Sequence, residues 1–289
     1  MRLLACALAL VCLAAPLATP ARAASPTLYF SAIPNEDETR LVERFGKVGD
    51  HLSKVLGVPV AYVPVKSYPA SVTAFRNDQI QLAWFGGFTG VQARNLVPGS
   101  RAIAAGAEDM AFHTYFIAHE ATGLAPSDAF PKASKGRTFT FGAKTSTSGR
   151  LMPEFYIRKE TGEAPEAFYA RVGFSGDHTQ TLKLVSTGAF EVGAIDFSVY
   201  DKAVRDGAPE LKTVKLIWKS PPFPDYNWMV RGDLDARFGA GFTDRLQKAL
   251  LDITDPALLA AFPRKAFVPA KNADFDPVEV TARELKLLE

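Results

Sequence analysis

Cysteine is scarce in this chain: two residues in 289, Cys6 and Cys12, both near the amino terminus. From Ala24 onward there is none, which excludes disulfide staples, a thiol nucleophile and thiolate metal sites. Histidine is thin as well. His51, His113, His119 and His178 are dispersed, none paired with another at ligand spacing, so neither a metal nor another cofactor is expected. The patterns G-x-G-x-x-G, G-x-x-x-x-G-K-[ST], G-x-S-x-G, S-x-x-K and H-E-x-x-H are all missing. There is no basic run and no internal repeat.

The one long apolar run, Leu3 to Leu13, follows Arg2 and precedes Ala21-Arg22-Ala23. That order reads as a cleaved secretory signal over residues 1–23, too short to span a bilayer. Without Arg2 and Arg22 the basic residues fall from 33 to 31, equal to the 31 acidic ones. A neutral chain is a poor partner for nucleic acid or an anionic membrane. With 47% hydrophobic residues it can bury a substantial core. An exported, soluble, globular protein is expected.

What is present is an alternation of strand-like and helix-like segments. Leu28 to Ile33 reads as a buried strand. A helix follows from Glu38 to Leu56, with Leu41, Phe45, Val48, Leu52 and Val55 on one face and Gly57 as its stop. Strands at Val58 to Val65, Ile80 to Phe85 and Arg101 to Ala105 alternate with short helices, one capped by Ser67 and one ending at Leu96. A second such block begins at Thr114, with strands at Thr138 to Gly142 and Val192 to Asp196 and helices opening at Gly149 and His178. This rhythm predicts parallel sheets with covering helices. Two blocks predict two lobes: residues 24–112 with 213–289, and residues 113–212, with a ligand in the cleft between them.

The most informative segment is Thr145-Ser146-Thr147-Ser148-Gly149, between a strand and a helix start. Helix N-termini carry unpartnered N–H groups and positive potential, so four hydroxyls and a glycine there suit an anion. A plain N-cap cluster has the same composition. His178 opens a helix and offers a ring N–H, or is an ordinary first-turn residue. Asp196 ends an apolar strand; it accepts from a proton-bearing ligand or caps the next helix. Trp84-Phe85-Gly86-Gly87-Phe88-Thr89-Gly90 reads as a tight turn with backbone N–H groups open to a ligand. Tyr68 and the segment Asp225-Tyr226-Asn227-Trp228 offer polar and aromatic groups to the same cleft.

Taken together these pieces resemble the phosphate/phosphite/phosphonate-binding periplasmic proteins of ABC transporters. The resemblance rests on Phe30-Ser31-Ala32-Ile33-Pro34, Leu56-Gly57-Val58-Pro59-Val60, Lys66-Ser67-Tyr68, Ala83-Trp84-Phe85-Gly86, Ser146-Thr147-Ser148-Gly149, Gly176-Asp177-His178 and Ile217-Trp218-Lys219-Ser220-Pro221. It implies the α/β, two-lobed type II periplasmic-binding-protein fold and a periplasmic, monomeric carrier that is not an enzyme. Its partners would be a small tetrahedral oxyanion and a membrane permease. Ser146, Thr147, Ser148, Gly149 and His178 would grip the oxyanion, while Tyr68, Phe85, Asp196 and Tyr226 line the pocket. Ser198 and Asp225 fall near the family's amine-holding acids. Phe85 stands where some members have a tyrosine, which removes a hydroxyl donor. The segments Ser31-Ala32-Ile33-Pro34, Trp84-Phe85-Gly86-Gly87-Phe88-Thr89-Gly90 and Pro222-Phe223-Pro224-Asp225-Tyr226-Asn227-Trp228 also look like a branch often assigned to selenate uptake. An enzyme or a ligand-presenting sensor on the same scaffold are the competing classes.

Overall fold

The computed structural model describes residues 26–36 and 38–288; the expected signal segment lies outside them. The chain begins with β1 (Leu28–Ala32), α1 (Glu38–Leu56), β2 (Val60–Tyr62), α2 (Tyr68–Arg76), β3 (Leu82–Phe85), α3 (Gly87–Leu96) and β4 (Arg101–Gly106). It then builds β5 (Thr114–His119), β6 (Thr138–Phe141), α4 (Met152–Thr161), α5 (Pro165–Phe168), β7 (Arg171–Phe174), α6 (His178–Ser186), β8 (Val192–Asp196), α7 (Phe197–Asp206) and β9 (Val214–Lys219). The last stretch adds β10 (Asn227–Val230), α8 (Leu234–Phe238), α9 (Phe242–Leu251), α10 (Pro256–Leu259), β11 (Phe267–Pro269) and α11 (Asp276–Glu284).

Two separate sheets result, with strand orders β11-β4-β10-β3-β1-β2 and β7-β6-β8-β5-β9. Both are mixed, not purely parallel as the alternation predicts. In the first, β10 and β11 run antiparallel to their neighbours, and in the second β5 runs antiparallel to β8 and β9. The reason is the path of the chain. It leaves the first sheet after β4, builds the second, and re-enters the first from the opposite end as β10. Strand β9 pairs with β5, so the second sheet extends to Lys219.

Helix α1 shows why these segments fold locally. Leu41, Phe45, Val48 and Leu52 recur every three or four residues and all are buried, whereas Val55, expected on the same face, is 54% exposed. Ser67 caps α2 by accepting from Ala70 N–H, and Gly57 ends α1 at a φ of 69°. The returning tail packs on the first sheet's helices. Arg94 of α3 is held by Asp276 and Glu279 of α11.

The two crossing segments, 107–113 and 220–226, run side by side. Phe112 and Phe223 exchange both backbone hydrogen bonds, at 2.8 and 3.0 Å. Beside them Arg264 is buried against Asp109 at 2.7 Å. Burial opposes the charge on Arg264, but the Asp109 carboxylate outweighs it and raises the guanidinium pKa further. Among the described residues no helix is long and apolar enough to cross a membrane.

Candidate functional site

The carboxyl ends of β1, β3, β6 and β8 face one another across the gap between the sheets. After β6 the chain makes a tight turn in which Gly142 N–H bonds to Gly149 C=O at 2.8 Å. Ser146 caps the following helix by accepting from Gly149 N–H at 2.9 Å. The first turn, Thr147–Leu151, is wide: Leu151 N–H reaches back five residues to Ser146 C=O at 3.0 Å. A side chain at Gly149 would be tight, since an added Cβ would lie 3.0 Å from His178 Cε1 and from Ser146 Oγ and one of them would have to shift.

This turn places several donors without internal partners. Ser148 Oγ is buried with no hydrogen-bond partner. The first N–H groups of any helix lack one by geometry. The Ser146 hydroxyl lies against the phenol of Tyr68, the first residue of α2. Burial, with nearby Asp196 and Asp225, keeps that phenol protonated well above its ordinary range. His178 supplies another donor. Its Nδ1 accepts from Asp196 N–H at 3.2 Å, and burial lowers its pKa, so the neutral ring carries its proton on Nε2. That Nε2 is buried and unpartnered.

Beside Tyr68 and Thr147 stands a carboxylate. Asp225 lies in the second crossing segment and is buried. Its Oδ1 accepts from Gly87 N–H at 2.8 Å, while Oδ2 has no partner. Burial pushes its pKa up to about 7; Thr147 and Gly87 pull it down, and Asp196 and Asp109 push it up. Between the sheets a cleft of about 520 Å³ leads outward, lined by Lys66, Ser67 and Tyr68 on one side and Lys144, Asp177 and Gln180 on the other. Among the described residues no group of three His, Cys, Asp or Glu side chains could hold a metal ion.

The structure therefore brings the expected residues together but gives them different partners. Ser146, Ser148, Gly149, His178 and Tyr68 gather around the turn. Thr147 turns the other way: its hydroxyl accepts from Phe88 N–H at 3.0 Å and lies near the Asp225 carboxyl, whose pKa it pulls down. The N–H groups of Gly87 and Phe88, read from sequence as open, are thus taken by Asp225 and Thr147. Asp196 caps α7, with Oδ1 accepting from Ser198 N–H at 2.7 Å and from Ser198 Oγ at 2.8 Å. Its Oδ2 accepts from the Tyr226 hydroxyl at 3.1 Å, which occupies both residues. Phe85 is wholly buried, its ring edge-on to Phe75 at 5.5 Å. Asn35 and Arg264 went unnoticed in the sequence. Neither sits in a pattern with chemical meaning, and the partners that tie them to other elements, His178 and Tyr226 for Asn35 and Asp109 for Arg264, are 143 or more positions away.

A family model described as the periplasmic substrate-binding protein of phosphonate ABC transporters matches residues 30–275. The probable ABC transporter phosphite binding protein PhnD1 of Prochlorococcus marinus is 36% identical over 265 residues, 89% of each chain. The phosphate-import protein PhnD of Mycolicibacterium smegmatis is 24% identical, over 91% of this chain and 87% of its own. The structure of PhnD1 from Prochlorococcus marinus in complex with methylphosphonate superposes with a TM-score of 0.86, covering 90% of this chain and 98% of that one. None of these names carries selenate. This chain belongs to the periplasmic substrate-binding proteins of phosphonate ABC transporters, a family that delivers a small ligand to a membrane permease.

Proposed function

We propose that this protein captures a small phosphorus oxyanion that still carries a proton, phosphite or methylphosphonate, and hands it to its permease. The observation that carries the reading is the pairing of opposite demands in one buried site. Ser148 Oγ and His178 Nε2–H call for an anion's oxygens, while the unpartnered Asp225 Oδ2 calls for a hydroxyl. A fully deprotonated tetrahedral anion satisfies the first, and it is repelled by the second once Asp225, with a pKa of about 7, loses its own proton. Sulfate and selenate are such anions near neutral pH, so the acidic wall disfavours them. The names of the relatives, phosphite and methylphosphonate among them, support the same choice.

Ser146 and Tyr68 complete the donor side, Gly149 lets the turn approach His178 because it has no side chain, and Phe85 belongs to the core behind the site. The expected acceptor role of Asp196 passes to Asp225, because both Asp196 oxygens are already engaged. Capture without chemistry fits His178, whose basic nitrogen is used by a backbone N–H and whose other nitrogen is protonated. The lobes in this reading are residues 26–106 with 227–288, and residues 114–219, joined by the two crossings. The carrier acts as a monomer in the periplasm after removal of residues 1–23.

Calorimetry with phosphite, methylphosphonate, aminoethylphosphonate, phosphate, sulfate and selenate tests the reading. Phosphite and methylphosphonate should bind at least about tenfold tighter than sulfate or selenate, the effect of one hydrogen bond to a charged group. Selenate or sulfate binding as tightly as phosphite would overturn it.

A further inference from the structure

Four hydrogen bonds form a ring that leaves His178 and returns to it. His178 Nδ1 accepts from Asp196 N–H at 3.2 Å. Asp196 Oδ2 accepts from the Tyr226 hydroxyl at 3.1 Å. The Tyr226 oxygen accepts from Asn35 Nδ2 at 3.2 Å. The Asn35 carbonyl then accepts from His178 N–H at 3.3 Å.

The ring is shared between the lobes. Asn35 lies just past β1, and Tyr226 stands next to β10 with its ring stacked on Trp84 of β3 at 5.5 Å. His178 opens α6 and Asp196 ends β8. The Asp196 to His178 bond stays within the second lobe, and the Asn35 to Tyr226 bond joins the first lobe to the end of the crossing that leads into β10. The other two, Tyr226 to Asp196 and His178 to Asn35, reach across to the second lobe.

We infer that Asn35 and Tyr226 are positioning residues, which act by completing this ring on closure and not by touching the ligand. Three of the four ring members are wholly or almost wholly buried, so the bonds form out of competition with water, and one acceptor is a carboxylate. With the lobes apart, water satisfies the same groups. The ring therefore contributes to closure whatever the ligand is. It also ties the first N–H of α6 to the opposite lobe, which sets where His178 Nε2 points when the anion arrives. The consequence is a split between two acids. Asp225 sorts ligands by protonation, and Asp196, through Tyr226, sets how long the closed form lasts.

This inference rests on the oxyanion reading only where a ligand is used to observe it. The test joins lobe separation to kinetics. Val55→Cys and Val204→Cys, at exposed positions of α1 and α7, carry spin labels, one on each lobe. Tyr226→Phe and Asn35→Ala are made in that background, singly and together. Both should shift the distance distribution toward separated lobes, with and without methylphosphonate. Dissociation of methylphosphonate and of phosphite should quicken by ~10–100-fold, association changing little, and the ranking of the two ligands should stay the same. Because both side chains serve one ring, the double variant should be little worse than the more damaged single one. A wild-type chain as open as its variants, or a Tyr226→Phe effect that differs between ligands, overturns the inference. A wild-type chain that binds neither probe strikes the oxyanion reading instead, and the label distances still judge the ring.

Discussion

Two helix starts lie on opposite sides of the cleft, and they began with similar credentials. One is the Ser146 turn leading to α4, rich in hydroxyls; the other is Gly86-Gly87 leading to α3, rich in glycine. Each offers backbone N–H groups at the positive end of a helix. The folded chain uses them in opposite ways. At α3 the N–H groups of Gly87 and Phe88 are filled by Asp225 and Thr147, which belong to the crossing and to the other lobe. At the Ser146 turn Ser148 Oγ and the neighbouring His178 Nε2 have no protein partner. A helix N-terminus is thus an anion site only if the rest of the protein leaves it free. Here one start keeps its neighbouring donors free and the other is filled by the crossing and the opposite lobe.

The sharpest way to break this comparison is to remove the free donors. Ser148→Ala with His178→Ala should weaken phosphite or methylphosphonate binding by about 3–6 kcal/mol, since each loses a hydrogen bond to a charged group. Calorimetry showing unchanged affinity would return the turn to the status of a cap. The second test concerns the plug at α3. The Asp225 pKa is raised to about 7, so the folded state loses stability as pH rises from the ordinary carboxylate range through 7. Asp225→Asn should remove that loss, raising the melting temperature near pH 8 by the equivalent of at most about 4 kcal/mol and leaving it unchanged near pH 4. The same variant should flatten the fall in ligand affinity above pH 7, where the wild-type carboxylate and the ligand have no proton left to share. A wild-type affinity that rises above pH 7 would contradict Asp225 as acceptor. The smallest expected effect is that of Thr147→Val. It removes the acceptor for Phe88 N–H and should cost about 1–2 kcal/mol of affinity, equally for every ligand. A change in ligand ranking would show that Thr147 touches the anion after all.

The elements that could be read from sequence are those whose pattern is local. The predicted spans of α1, α6 and β8 coincide with the folded ones, because periodic burial and caps specify them. Strand β10 escaped notice for the opposite reason. Its four residues are all buried, so no alternation marks them, and its partners β3 and β4 lie more than 120 positions away. The site divides along the same line. Ser146 as a cap and His178 as a helix start were legible. That Thr147 faces away from Ser148, and that Asp196 is held by Tyr226, depends on how two lobes meet. No stretch of one strand encodes that.

The insertion of β10 between β3 and β4 also bears on how the chain assembles. Every strand of the second sheet comes from one continuous stretch, residues 114–219. The first sheet cannot be completed until Asn227 to Val230 arrive, since β3 and β4 have no direct ladder and β10 joins them. Loop closure over such separations is slow. In pulse-labelled refolding the amides of Phe116 and Ala194 should gain protection before those of Trp84 and Ala104; simultaneous protection would refute this order. Until the late strand docks, β3 and β4 expose unpaired edges that can recruit another chain. A truncation that stops short of Val230 should therefore leave a well-formed second lobe attached to an aggregating first half.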